Sequence, residues 1–194
     1  MQDFGLYFEL GLQHILDLAG YDHILFVIAL CCTYFVADWR KVIVLVTAFT
    51  IGHSLTLALS VFNLIRVDTA LIEFLIPITI VVTAFSNIAA RRSRRRRKTN
   101  TDWLTYGYAL FFGLIHGLGF SNYLRSLLGK ESSITGPLFA FNIGLELGQL
   151  VVVFIVLILS FIATTIFSVS KRDWTFFLSA AVFGIALVMA LERV

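Results

Sequence analysis

Charge is what this chain has least of. Asp, Glu, Lys and Arg make up 14% of its 194 residues and apolar residues 59%, against about 25% charged and roughly 45–50% apolar in soluble domains. That balance excludes a soluble globular domain and points to an integral membrane protein. There are two cysteines, Cys31 and Cys32, adjacent inside an apolar run where vicinal geometry and burial argue against a structural disulfide. Packing is their expected role, with thiolate ligation as the alternative, so cysteine usage identifies no redox compartment. Residues 1–19 lack a basic stretch and carry Asp3, Glu9 and Asp17, which is not the pattern of a cleaved signal peptide. Serine-nucleophile motifs, phosphate-binding glycine loops and heptad repeats are also missing.

What is present is a series of apolar runs of about 20 residues, each long enough for a hydrocarbon core of roughly 30 Å. One polytopic domain over 1–194 is expected. Glu9, Gln13 and Asp17 recur at i, i+4, i+8, with Leu6, Leu10, Leu12, Ile15 and Leu16 filling much of the remainder. This is the pattern of an amphipathic helix lying at the interface. Gly20 can end that helix in a left-handed conformation, and Asp22 can cap the next one. Spans are predicted over about 23–37, 42–65, 70–90, 103–128, 137–167 and 175–191. The first is short, the third contains Pro77, whose missing N–H permits a kink, and the fourth contains the pair Gly113 and Gly117, which permits close helix approach. The expected fold class is therefore an all-α membrane bundle of about six transmembrane helices preceded by an N-terminal interfacial helix.

Arg91-Arg92-Ser93-Arg94-Arg95-Arg96-Arg97-Lys98 is the strongest topological signal. Between two spans such a run is a topology or anionic-lipid element rather than a nucleic-acid site, and the positive-inside rule places it in the cytoplasm. With six spans, eleven of the fifteen Lys and Arg fall on that side and four, Arg66, Arg125, Lys130 and Arg193, on the other. Both termini are then periplasmic in a bacterial inner membrane.

Histidine is scarce too, and all four, His14, His23, His53 and His116, lie in or beside membrane segments. Ionisable groups at such depth normally face the protein interior or a water-filled cavity, and several at similar depth suggest one shared site. At a rise of about 1.5 Å per residue, His53 and His116 fall near the midplane and Glu146 on its outer side. Asn142, Glu146 and Gln149, at i, i+4, i+7, share one helix face. Asp22 and His23 enter from the outer end of the first span and, being adjacent, reach one site only at a helix start or an unwound turn. His14 and His23 would face opposite sides of a straight helix, so a break at Gly20 is required if His14 takes part.

Imidazole nitrogens and carboxylate oxygens suit divalent nickel, cobalt, zinc or iron better than they suit metals that want thiolates. The candidate ligands are His23, Asp22, His53, His116 and Glu146, with His14 as an additional one and Asn142 and Gln149 behind them. Each has a plainer reading. A lone histidine, Asn142 or Gln149 can be a strut between helices, Asp22 a helix cap, Asp17 a solvated interfacial residue, and Glu73 a snorkelling or capping one. Thr47, Thr50, Ser54 and Thr56 either return their hydroxyls to their own helix or line a polar path. The coincidence of three histidines with two acids at compatible depth favours the metal reading.

Several stretches together resemble the HupE/UreJ family of hydrogenase and urease accessory membrane proteins. They are Gly11-Leu12-Gln13-His14, Gly20-Tyr21-Asp22-His23-Ile24-Leu25-Phe26, Thr50-Ile51-Gly52-His53-Ser54, Gly113-Leu114-Ile115-His116-Gly117 and Asn142-Ile143-Gly144-Leu145-Glu146-Leu147-Gly148-Gln149. The resemblance implies a nickel or cobalt permease of about six spans, with Asp22 and His23 matching the family's Asp-His signature. His14 departs from the better-known form of that motif, having Ile15 where a proline follows the histidine.

Two functions compete with a purely structural role. A permease would capture a hydrated cation from the periplasm, exchange its water for these side chains and release it inward. An intramembrane zinc hydrolase acting on a lipid or membrane peptide would keep a metal-bound water, with Glu146 or Asp22 as general base. A repeat is hinted at by Gly52-His53 and the Gly and His elements around His116, but the remaining residues do not align.

Overall fold

The computed structural model describes residues 2–90, 101–128 and 134–193, and these contain helices and no strand. The helices are α1 (Gln2–Leu16), α2 (Asp22–Cys31), α3 (Trp39–Val61), α4 (Thr69–Ala90), α5 (Thr101–Leu128), α6 (Thr135–Phe161) and α7 (Lys171–Glu192). A 3₁₀ turn leads into α3, and a π-helical turn, Ile162–Ile166, ends α6. Four segments, Val36–Val61, Thr69–Ala90, Thr135–Ile166 and Lys171–Glu192, are long and apolar enough to cross a membrane, while α2 is a shorter apolar helix. The basic run at 91–98 and Lys130 lie outside the described residues.

The bundle is organised by two tight helix pairs, α1 with α6 and α3 with α5. Each pair meets backbone to backbone at glycines. A Cβ at Gly11 would fall on the carbonyl of Phe141 and 3.0 Å from the Leu145 nitrogen; one at Gly144 would fall on the carbonyl of Phe8 and 3.0 Å from the Leu12 nitrogen. Gly148 continues the contact against Leu12 and Ile15. In the second pair Gly52 meets Leu110 and Leu114, Gly113 meets Phe49 and His53, and Gly117 meets His53 and Thr56. Small residues allow this approach, and carbonyls facing glycine Cα–H groups add weak hydrogen bonds.

The two crossings are equivalent residue for residue. Phe8, Gly11, Leu12 and Ile15 of α1 stand where Phe49, Gly52, His53 and Thr56 of α3 stand. Phe141, Gly144, Leu145 and Gly148 of α6 stand where Leu110, Gly113, Leu114 and Gly117 of α5 stand. In both pairs the contacts advance together, so the partners run in the same direction. The sequence hinted at a repeat between α3 and α5; the packing instead makes those two partners in one crossing and repeats α1 in α3 and α6 in α5.

Rather than lying across the helix ends, α1 runs alongside α6, and α2 takes over against α6 and packs on α4 and α7 as well. Between α1 and α2 the chain turns at 17–21. Gly20 is not in a left-handed conformation, no described glycine having positive φ, and a Cβ there would meet only Asp17 at an ordinary 3.7 Å. The turn is instead held by Asp17, whose Oδ1 accepts the Ala19 N–H at 2.8 Å. Helix α4 runs uninterrupted through Pro77. The missing Pro77 N–H leaves the Glu73 carbonyl without its helical donor, and Arg193, just past α7, donates to it at 2.7 Å.

The glycine crossings make a direct prediction. Gly52→Ala and Gly144→Ala should each destabilise the detergent-solubilised protein by about 1–3 kcal/mol, read as a lower melting temperature. Gly184→Ala, whose Cβ meets nothing within 4 Å among the described residues and which gains helix propensity, should not lower it.

Candidate metal centre

Four elements bring the four histidines together. The last turn of α1 carries His14, the first turn of α2 carries His23, and the two glycine-locked helices carry His53 and His116 at their crossing point. Ring centroids lie 4.5 Å apart for His14 and His23, 5.9 Å for His14 and His53, 5.7 Å for His23 and His53, and 5.2 Å for His23 and His116. One ring nitrogen from each of His14, His23 and His53 lies within 4.8 Å of the other two. A tetrahedral ion with nitrogens at about 2.0–2.1 Å needs them roughly 3.3 Å apart, so modest ring movements complete the site. Phe26, Phe49, Phe120 and Phe141 enclose the rings.

Hydrogen bonds determine which nitrogens are free. Asp22 Oδ1 accepts from the backbone N–H of His23 at 2.8 Å and from its Nδ1 at 2.9 Å. That fixes the proton on Nδ1 and leaves Nε2, which has no partner, with a bare lone pair. Thr79 gives its one hydroxyl proton to the Ile76 carbonyl at 2.7 Å, so its oxygen, 2.9 Å from His116 Nε2, accepts from that nitrogen. His116 Nδ1 is then the bare one, and it too is without a partner. Both nitrogens of His53, which is fully buried, and Nε2 of His14 are likewise unpartnered. Buried polar atoms are almost always satisfied, so this many at one place mark a site for a ligand that accepts electron pairs. A divalent transition-metal ion is such a ligand.

A cavity of about 320 Å³ leads to His14, His23 and His116, with Asp17, Asp22, Glu73 and Arg193 on its wall. The break between α1 and α2 aims His14 and His23 at one another, as the sequence required, although Asp17 rather than Gly20 makes the turn. Asp22, expected as a ligand, holds His23 from behind. Glu146, also expected as a ligand, lines a separate groove between α3 and α6 with Asn142, where it accepts from Thr47 Oγ1 at 2.8 Å. Gln149 is fully buried and accepts from Thr50 Oγ1 at 2.8 Å. Thr79 and Arg193 carried no signal in the sequence, since a threonine behind a histidine is visible only once α4 and α5 are docked.

The family model described as HupE / UreJ protein matches residues 1–193. The chain belongs to the HupE/UreJ family. No curated protein and no solved structure matches it. The HupE/UreJ family is linked to nickel and cobalt uptake for hydrogenase and urease, which agrees with a buried histidine cluster among apolar helices.

Support from behind a ligand typically changes metal affinity about 10–100-fold. Asp22→Asn should therefore weaken nickel binding by roughly tenfold or more, measured by titration of the purified protein. Thr79→Val should weaken it as well, and Thr79→Ser, which keeps the hydroxyl, should restore it.

Proposed function

We propose that this HupE/UreJ protein takes up a divalent first-row cation, nickel or cobalt, through the histidine centre. The observation that carries this reading is the convergence of His14, His23 and His53 with ring nitrogens that nothing in the protein satisfies. His116, whose free Nδ1 lies one ring further on, completes a path of neutral nitrogen donors. Neutral donors bind an ion without the several fixed charges that would trap it, as release on the other side requires.

The helix arrangement supports six crossings. On this reading α1 and α2 are the two halves of one broken crossing, replacing the expected interfacial helix, because α1 keeps pace with α6 and α2 continues along it. Broken crossings with half-helix ends near the midplane recur in secondary transporters, where they form the substrate site. In a six-crossing chain the first and fifth crossings share a direction, as do the second and fourth. The parallel pairs α1 with α6 and α3 with α5 satisfy that parity. The α1/α6 pair then runs opposite to the α3/α5 pair, the relation of an inverted repeat. With the basic run cytoplasmic, the cavity beside Glu73 and Arg193 opens outward.

Neither carboxylate suggested as a hydrolytic base stands ready for that task. Asp22 is engaged by His23, and Glu146 lines the other groove.

Reconstituted protein should accumulate nickel or cobalt in proteoliposomes. His23→Ala and His53→Ala should each reduce initial uptake at least about tenfold, the effect of losing roughly 1.4 kcal/mol of binding. Uptake by both variants at the unmodified rate would overturn the reading.

A further inference from the structure

Glu146 lies outside the histidine cavity, and its surroundings give it a role of their own. The groove between α3 and α6 encloses about 480 Å³. Its polar wall holds the Glu146 carboxylate, the hydroxyls of Thr47, Thr50 and Ser54, and Asn142. Asn142 Oδ1 is a buried atom with no hydrogen-bond partner. Thr47 supplies one hydrogen bond to Glu146 Oε1, at 2.8 Å. No Lys, Arg or His is among the described residues that line the groove. A carboxylate between two helices able to cross a membrane normally has a partner charge or water, because its desolvation is costly.

The groove is also the counterpart of the one beside the metal centre. Leu10, Gln13 and His14 of α1, with Asp17 just past its end, line a cavity completed by Phe120 and Tyr123 of α5. Ile51, Ser54, Leu55 and Ala58 of α3, their equivalents in the duplicated crossing, line this one against α6. The same helix face meets a cavity in both halves. The first carries an imidazole, and the second carries none among its described residues.

We propose that the α3/α6 groove binds a monovalent alkali cation of the sodium type, held by Glu146, Thr47 and Asn142, and that its binding is coupled to that of the transported metal. Oxygen donors select hard cations and serve nickel or cobalt poorly. One carboxylate matches one positive charge, and the groove offers none of the imidazole nitrogens that suit the divalent transition metals. Coupling has a physical route. Thr50, bonded to Gln149, stands one turn before His53 on α3, and Gln149 follows Gly148, which packs on Ile15 beside His14. A shift of α3 against α6 therefore moves both sites. The site stands on the groove's own atoms, while its use as the driving ion rests on the uptake reading above.

The test is equilibrium binding of radioactive sodium to the detergent-purified full chain, with nickel titration on the same samples. Saturable sodium binding is expected, weakened about tenfold or more in Glu146→Gln, whose neutral amide removes the carboxylate charge. Glu146→Asp, which keeps the charge on a shorter arm, should retain part of it. His53→Ala should lose nickel and keep sodium, and Glu146→Gln should lose sodium while keeping the nickel affinity that the unmodified protein shows without sodium. In vesicles, an inward sodium gradient at equal pH should accelerate nickel uptake by the unmodified protein and leave Glu146→Gln unaffected. Absence of saturable sodium binding, or sodium binding unchanged in Glu146→Gln, overturns the site. Uptake driven by a pH gradient without sodium, and lost in Glu146→Gln, overturns it by assigning the carboxylate to a proton. Sodium binding with no nickel binding leaves the site standing and removes the uptake reading.

Discussion

Where two helices touch through their backbones, the residues next to the contact have little freedom in where they point. His53 follows Gly52 and His116 precedes Gly117, so both imidazoles are anchored at the crossing of α3 and α5. Gln149 follows Gly148, and Glu146 stands between Gly144 and Gly148 at the crossing of α1 and α6. Successive helix residues are turned by about 100°, so a side chain beside a seam glycine is directed to the flank of the pair, where the cavities are. The glycine seams thus determine the depth and direction of His53, His116 and Gln149 inside this apolar protein.

On that framework the chemistry divides by donor atom. Unpartnered imidazole nitrogens gather where the broken α1–α2 segment meets α3 and α5, backed by Asp22 and Thr79, which set the tautomers of His23 and His116. Oxygen atoms gather between α3 and α6. Helix α3 belongs to both places, through His53 on one side and Thr47 and Thr50 on the other. Arg193 adds a tie at the mouth of the histidine cavity by satisfying the carbonyl that Pro77 strands. The last described turn of the chain is thereby fastened to α4 beside the proposed entrance.

Much of this was legible in the residues alone. Counting along the apolar runs brought His53 and His116 to one depth, and the need for a break between His14 and His23 followed from their spacing. The groove lined by Glu146 and Asn142 was not legible, because periodicity shows that they share a face with Gln149 but not which neighbour that face meets. The duplication was hidden for a related reason. Equivalent positions hold Leu12 and His53, or Ile15 and Thr56, and the partner helices follow in reversed chain order, so no single alignment aligns both halves. Gly20 drew attention as a helix breaker, yet the turn belongs to the short carboxylate of Asp17, which bonds the chain two residues on. Pro77 was visible as a missing N–H, but not the distant arginine that satisfies the carbonyl it orphans.

If His14, His23 and His53 hold the transported ion through their ring nitrogens, X-ray absorption at the nickel edge of the metal-loaded protein will show it. The first shell should contain several nitrogen donors, together with the outer-shell scattering of imidazole rings, diminished in His53→Ala. A shell of oxygen donors without imidazole scattering, unchanged in His53→Ala, would contradict it.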